Sequence, residues 1–308
     1  MIREILTKGN NFLISAHVRP DGDCLGAGFA LKHYIENMGK KADFLVDSPY
    51  PPHYSFMPGC DAYNNKTIDK YECFIAVDCA DDKRLGTYAS YLGKVPSFNI
   101  DHHITNNKFA DKNLVKIYSS TCEIITEELT GTEFFDAKIA SLLYVGMSTD
   151  TGHFAHSNTN GRVLNNAAKL LQYDFSPYEI VKSLYRSNTK QKTKLIGVAI
   201  NSMRFFDNDR VCIVTITKND LKNCGCELSD TEGLIDYAVA IGSVDIAICI
   251  SEYTNKTYKV SFRSKRADVS QAAAIFGGGG HKQAAGCMVS GFYEDVVDKL
   301  LRAVTECI

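Results

Sequence analysis

The chain carries almost no net charge, no apolar run approaching 18 residues, no internal repeat and no low-complexity segment. Each absence narrows what it can do. Lys and Arg number 34 against 36 Asp and Glu, for a net charge of −2. A long track for duplex DNA or polymeric RNA needs a basic surplus, so this balance argues against one, though not against a small nucleotide in a local pocket. Without a sustained apolar stretch no membrane span is expected, and Met1 to Lys8 carry charges of both signs instead of the apolar core of a signal peptide. The eleven cysteines are odd in number, dispersed, and mostly set in apolar runs such as Cys73-Phe-Ile-Ala-Val77, which is unlike a secreted disulfide framework. They read as reduced, buried thiols of a cytoplasmic protein. Cys224-Gly-Cys226 is the one close pair, and a lone CxC is a weak zinc signal.

At 308 residues, two domains are expected. The first half alternates strand and helix. Residues 11–15, 41–46, 73–77 and 97–100 read as strands. A helix opens in the small-residue run from Gly22 to Gly28 and ends near Met38, with Gly39 just past it. Ser120-x-x-Glu123 resembles a capping box ahead of a helix that stops at Gly131, and Asp136 would cap the next helix, 137–148. This alternation predicts an α/β fold with a doubly wound parallel sheet. Val163, Ala167, Leu170 and Leu171 would share one helix face, and 187–203 reads as a helical connector, basic in its first half. Strands at 211–216, 246–250 and 258–262 and a helix at 268–276 follow, then a run of four glycines, 277–280, before His281.

In parallel sheets ligands collect beyond the carboxyl ends of the strands. His17, Asp21 and Asp23 follow the first strand, Asp78 the third and Asp101-His102-His103 the fourth, while Asp150 lies further on. Topology thus brings distant residues to one edge. Asp and His donors suit Mn²⁺, Mg²⁺, Fe²⁺ or Co²⁺ better than thiophilic metals. Four carboxylates at Asp21, Asp23, Asp78 and Asp150 would repel one another, and two divalent ions offset them and admit an anionic phosphate. Asp78 is the expected bridge, His102 a ligand, Asp101 an orienting carboxylate, and His103 a substrate contact or general acid. Taken alone, Asp21-Gly22-Asp23 reads more readily as a turn capping the next helix. Cys24 and Cys79 read as packing residues.

Four successive glycines expose N–H donors and allow close approach to a ligand, and Arg263 on a predicted strand could fork onto a phosphate. The run matches neither GxGxxG nor a Walker loop.

These residues resemble the DHH phosphoesterase superfamily, through His17-Val-Arg-Pro-Asp21-Gly-Asp23, Ala76-Val-Asp78, Asp101-His102-His103 and Ser148-Thr-Asp150-Thr-Gly152. Phe276-Gly-Gly-Gly-Gly280-His281-Lys-Gln-Ala-Ala-Gly286 resembles the DHHA1 domain that follows it in one branch, and the layout is similar to the NrnA-like group. The resemblance implies a DHH catalytic domain over 1–185, a helical linker over 186–205 and a smaller mixed-sheet DHHA1 domain over 206–308, with the active site in the cleft between them. It implies metal ligands at His17, Asp21, Asp23, Asp78, His102 and Asp150, with His103 facing the phosphate. Arg263, Ser264, Gly278, Gly279, Gly280 and His281 would bind substrate. It further implies two divalent ions, Mn²⁺ foremost, and hydrolysis of very short RNA and of pAp. Cleavage of cyclic di-AMP or its linear product pApA, and nucleotide sensing without catalysis, are the alternatives, and a homodimer is left open.

Overall fold

The computed structural model describes residues 1–305 and 307, and at position 281 the backbone alone. The chain divides into two compact units, Met1–Ser187 and Asn188–Ile308.

The first unit is built on β1 (Asn11–Ala16), β2 (Lys41–Phe44), β3 (Cys73–Val77), β4 (Ser97–Asp101) and β5 (Lys112–Val115). All pair in parallel, in the order β2-β1-β3-β4-β5. Every residue of β3 is buried, as a central strand covered on both faces requires. Around the sheet lie α1 (Ile2–Leu6), α2 (Gly22–Asn37), α3 (Thr121–Leu129), α4 (Ala137–Asp150), α5 (Gly161–Leu170) and α6 (Pro177–Tyr185). One face of the sheet, with Phe12, Ile14, Ile75, Val77 and Ile100, packs in one core with apolar residues of α2, α3 and α4. The other, with Leu13, Phe74 and Ala76, is sealed by Leu85, Tyr88 and Tyr91 from tight turns over Asp82–Tyr91, where an α-helix would be usual. The strand order reverses direction between β1 and β3, which opens a crevice at their carboxyl ends.

Small residues let α2 and α4 approach closely. A Cβ on Gly26 would lie 2.6 Å from the Leu142 carbonyl oxygen, and one on Gly146 would lie 2.7 Å from a carboxylate oxygen of Asp23. This proximity sets the end of α4 beside the start of α2. On α5, Val163, Ala167 and Leu170 are buried as expected, but Leu171 is 48% exposed, because the helix has ended and Leu171 is its C-cap.

The second unit contains α7 (Lys190–Asn201), β6 (Arg204–Phe206), β7 (Val211–Ile216), α8 (Lys218–Cys224), α9 (Leu234–Val239), β8 (Ile246–Thr254), β9 (Thr257–Ser264), α10 (Val269–Ile275), β10 (Gly279–His281), β11 (Ala284–Ser290) and α11 (Tyr293–Thr305). Its sheet runs β10-β11-β9-β8-β7-β6 and is mixed, since β7 and β8 are parallel and the other pairs antiparallel. Residues of α10 and α11 share one core with Ile213, Ile248 and Phe262, while α7 and α9 share another with Cys212, Val214 and Ala247. The segment read as a connector is therefore part of this unit. Leu195 and Ala199, one turn apart, are fully buried, and the lysines of its first half lie on the outside. Among the described residues no helix is long and apolar enough to cross a membrane.

Gly26→Ala should destabilise the first unit by about 1–3 kcal/mol, because a backbone oxygen must move to admit the methyl group. Urea denaturation followed by circular dichroism reads this directly. An unchanged midpoint would show that the α2–α4 contact has slack.

Candidate metal centre

The centre assembles at the β1/β3 crevice. His17 follows β1 and Asp78 follows β3, so the two straddle the point where the strand order reverses. His17 Nδ1 lies 2.9 Å from the Val18 carbonyl oxygen, and His102 Nδ1 lies 3.3 Å from that of Tyr118. A carbonyl only accepts, so each Nδ1 is the donor and each Nε2 faces the carboxylates. His17 Nε2 is 3.5 Å from Asp78 Oδ2 and 3.8 Å from Asp21 Oδ2. His102 Nε2 is 3.4 Å from both Asp78 Oδ1 and Asp150 Oδ2.

Asp21 also caps α2, with Oδ1 accepting from the amides of Asp23 and Cys24. The capping role and the site role coexist, because Oδ2 still turns toward His17. Asp23 is fully buried, its oxygens accepting from the amides of Thr121 and Cys122 at 2.6 and 2.9 Å. These are orphan donors of the first turn of α3. That turn is fixed by Ser120 Oγ, which accepts from the Glu123 amide, and by buried Glu123, which accepts from Ser119 and from Arg162. The Glu123 carboxylate thus turns to Ser119 and α5 and away from the reciprocal contact of a full capping box. Asp78 itself has φ of +51°, a strained backbone for a non-glycine residue.

By distance alone, three overlapping sets could each hold a cation. In each, one ligand atom per residue lies within 4.8 Å of the others: His17, Asp21, Cys24 and Asp78; Asp78, Asp101, His102 and His103; and Asp23, His102 and Asp150. Asp78 and His102 are the shared members. Asp101 is spoken for on both oxygens, one accepting from His103 Nδ1 at 2.7 Å and the other from Asn106 Nδ2 at 2.6 Å. It holds a ring instead of a cation. Three contributors escaped sequence reasoning. Cys24, read as packing, donates its thiol to Asp78 Oδ2 at 3.2 Å. Thr121 donates its hydroxyl to Asp78 Oδ1 at 3.3 Å, and Asn106 grips Asp101. Only the capping motif at Ser120 pointed to any of them.

The electrostatics fit divalent ions. Burial, reinforced by the charge of Asp78, pushes the Asp23 carboxyl up to about 7. Burial and the charges of Asp23 and Asp21 raise Asp150 well above the carboxylate range. Burial would raise Asp78 too, but hydrogen bonds from His102 and His17 hold it well below that range. Burial alone would lower His102, yet Asp78 and the neighbouring carboxylates carry it up to about 11. Carboxylates this crowded repel one another unless protons or cations intervene.

In the second unit, Arg263 is half-exposed on β9, its Nε 3.8 Å from Asp236 Oδ1 and its Nη1 donating to the Phe262 carbonyl. Ser264, expected beside it as a substrate contact, is buried and donates its hydroxyl to the Ala267 carbonyl at 2.5 Å, which fastens the turn. The glycine run is not an open loop. Gly279 and Gly280 lie on β10, and a Cβ on Gly278 or Gly280 would come within 2.4 Å of a β11 carbonyl oxygen. These two are glycine because the backbones touch, while Gly279 has open space around it. The side chain of His281 lies outside the described residues.

Clustered Asp and His at the switch point of a parallel sheet suit metal-assisted chemistry on phosphate, and the family matches and relatives of the chain make it a metal-dependent phosphoesterase. Residues 11–147 match the DHH family, N-terminal domain, and residues 208–308 match the DHHA1 domain. The chain is 30% identical over 306 residues to the bifunctional oligoribonuclease and PAP phosphatase NrnA of Thermus thermophilus, covering 95% of this chain and 89% of that one. To the protein of the same name from Bacillus subtilis it is 29% identical over 298 residues, covering 95% and 93%. An exopolyphosphatase-related protein from Bacteroides fragilis shares the fold, with a TM-score of 0.92 at 23% identity over 99% of this chain and 94% of its own. The chain belongs to the DHH/DHHA1 phosphoesterases, in the NrnA-like group.

Asp78→Asn, which keeps volume but removes the shared charge, should cut bound Mn²⁺ measured by elemental analysis after dialysis by at least half, and turnover by more than a hundredfold. A variant that kept full metal content would refute the expectation that Asp78 is a shared ligand.

Proposed function

We propose that this chain hydrolyses RNA of a few nucleotides to mononucleotides and, as a companion activity, removes the 3′-phosphate of pAp. The observation that carries this reading is the sharing of Asp78 between ligand sets that also draw on His17 and His102. The names of the Thermus and Bacillus relatives support the substrate class. One ion would be held by His17, Asp21 and Asp78, and a second by Asp23, Asp78, His102 and Asp150. Such ions, Mn²⁺ foremost, supply Lewis acidity toward a phosphate and a nucleophile at neutral pH.

The chain's own groups do the rest. Asp101 and Asn106 fix the His103 ring, so that it can donate a proton toward a phosphate or leaving oxygen. The buried amides of α3 pin Asp23, and the backbone carbonyls of Val18 and Tyr118 set the tautomers of His17 and His102. A rigid set of this kind lowers the cost of orienting the reacting phosphate. Arg263, only loosely paired with Asp236, is proposed to fork onto a phosphate of the substrate. The diester of a dinucleotide and the monoester of pAp would then present one phosphorus to the same centre. Eleven cysteines present as thiols support a reducing, cytoplasmic setting.

Metal-stripped protein reloaded with Mn²⁺ should cleave a mixed-sequence RNA dinucleotide and pApA at comparable rates, release phosphate from pAp, and attack long RNA and cyclic di-AMP far more slowly. A strong preference for cyclic di-AMP would move the chain into nucleotide signalling, and no turnover at all would leave a sensor. Arg263→Ala should raise KM for the dinucleotide about tenfold or more with a smaller loss in kcat, since a positioning contact acts mainly on binding. A loss confined to kcat would contradict that assignment.

A further inference from the structure

Immediately after Asp150 the backbone does something unusual. Gly152, His153 and Phe154 have φ of +54°, +56° and +62°, three successive residues in the left-handed region, two of them not glycine. Such a turn persists only where its surroundings enforce it. Here the His153 amide donates to the Ser148 carbonyl at 2.7 Å and the Phe154 amide to Thr151 Oγ1 at 3.0 Å. The turn seats Phe154 against Tyr144 in the core and leaves the neighbouring His153 exposed.

A second ring meets His153 there. Tyr185, in the last turn of α6, is 43% exposed. Its hydroxyl donates to the Ser148 carbonyl at 3.0 Å, and the ring centroids of His153 and Tyr185 lie 5.7 Å apart. His153 Nδ1 is 3.4 Å from Ser148 Oγ. Both rings therefore hang from Ser148, two residues before a proposed metal ligand, and neither belongs to a ligand set. The charge of Asp150 reaches the Tyr185 phenol, which burial and that charge together raise.

We propose that His153 and Tyr185 form a platform on which a nucleobase stacks beside the metal centre. This deepens the function proposed above and rests on it. The chemistry fits a general degrader of short RNA. Aromatic faces accept any base, so stacking binds without reading sequence. His153 on its strained turn and half-exposed Tyr185 on α6 contribute little to the core, and a stacked ligand would account for their pairing.

The test uses the full-length, Mg²⁺-loaded protein and 2-aminopurine riboside 5′-monophosphate, whose fluorescence falls on stacking. Wild type should quench the probe. His153→Asn tolerates the left-handed backbone but loses the aromatic face, and Tyr185→Leu loses the second ring. Each should weaken binding roughly tenfold, within the range of one stacked base. Tyr185→Phe keeps the ring, drops only the hydrogen bond to Ser148, and should bind within about threefold of wild type. With a dinucleotide substrate the same losses should appear in KM, while turnover of a dinucleotide lacking both bases stays at the wild-type rate. No quenching by wild type, or equal losses in Tyr185→Phe and Tyr185→Leu, would overturn the platform. If wild type quenches the probe yet hydrolyses no dinucleotide, the platform stands and the proposed reaction falls.

Discussion

The crowding of carboxylates around Asp78 is the constraint on which the rest of the first unit depends. Asp21, Asp23 and Asp150 converge on the ring nitrogens that face Asp78, with Asp23 and Asp78 buried and Asp21 at the open rim. The fold spends stability to hold them there. It keeps Asp78 at positive φ, turns the orphan amides of α3 onto a buried Asp23, and presses α2 against α4 through glycines. Each device makes sense if cations neutralise the cluster, and the close α2–α4 packing serves the core as well. Local strain stored at a functional site is the expected signature of such a trade.

Much of this was readable in the chain. Strand ends followed by Asp or His, set in an alternating pattern, place the ligands at one edge before any coordinates exist, and the parallel order makes β1 and β3 neighbours. The misses have physical causes. β5 is a short edge strand of mixed polarity, and β10 is made of glycine and histidine, so neither carries an alternating apolar signal. The helix at 190–201 looked like a connector because its basic half dominates the reading, although Leu195 and Ala199 already mark a buried stripe. Cys24 looked apolar, and only coordinates reveal its thiol on Asp78.

A division of labour emerges when the two proposals are set side by side. Phosphate recognition would be electrostatic and local, and at a centre crowded with carboxylates it calls for imported cations. Base recognition would be apolar and indifferent to sequence, through rings anchored to Ser148 at the end of α4. The end of α4, which carries Asp150 and anchors both rings through Ser148, would then help set the spacing between base and scissile phosphate.

The central claim is that Asp78 is shared by two divalent ions. Anomalous diffraction from crystals soaked in Mn²⁺, with data collected on either side of the manganese edge, tests it most directly. The account predicts two anomalous peaks per chain, both in contact with the Asp78 carboxylate, one beside His17 and the other beside His102. A single peak, or two peaks of which one does not touch Asp78, would contradict it.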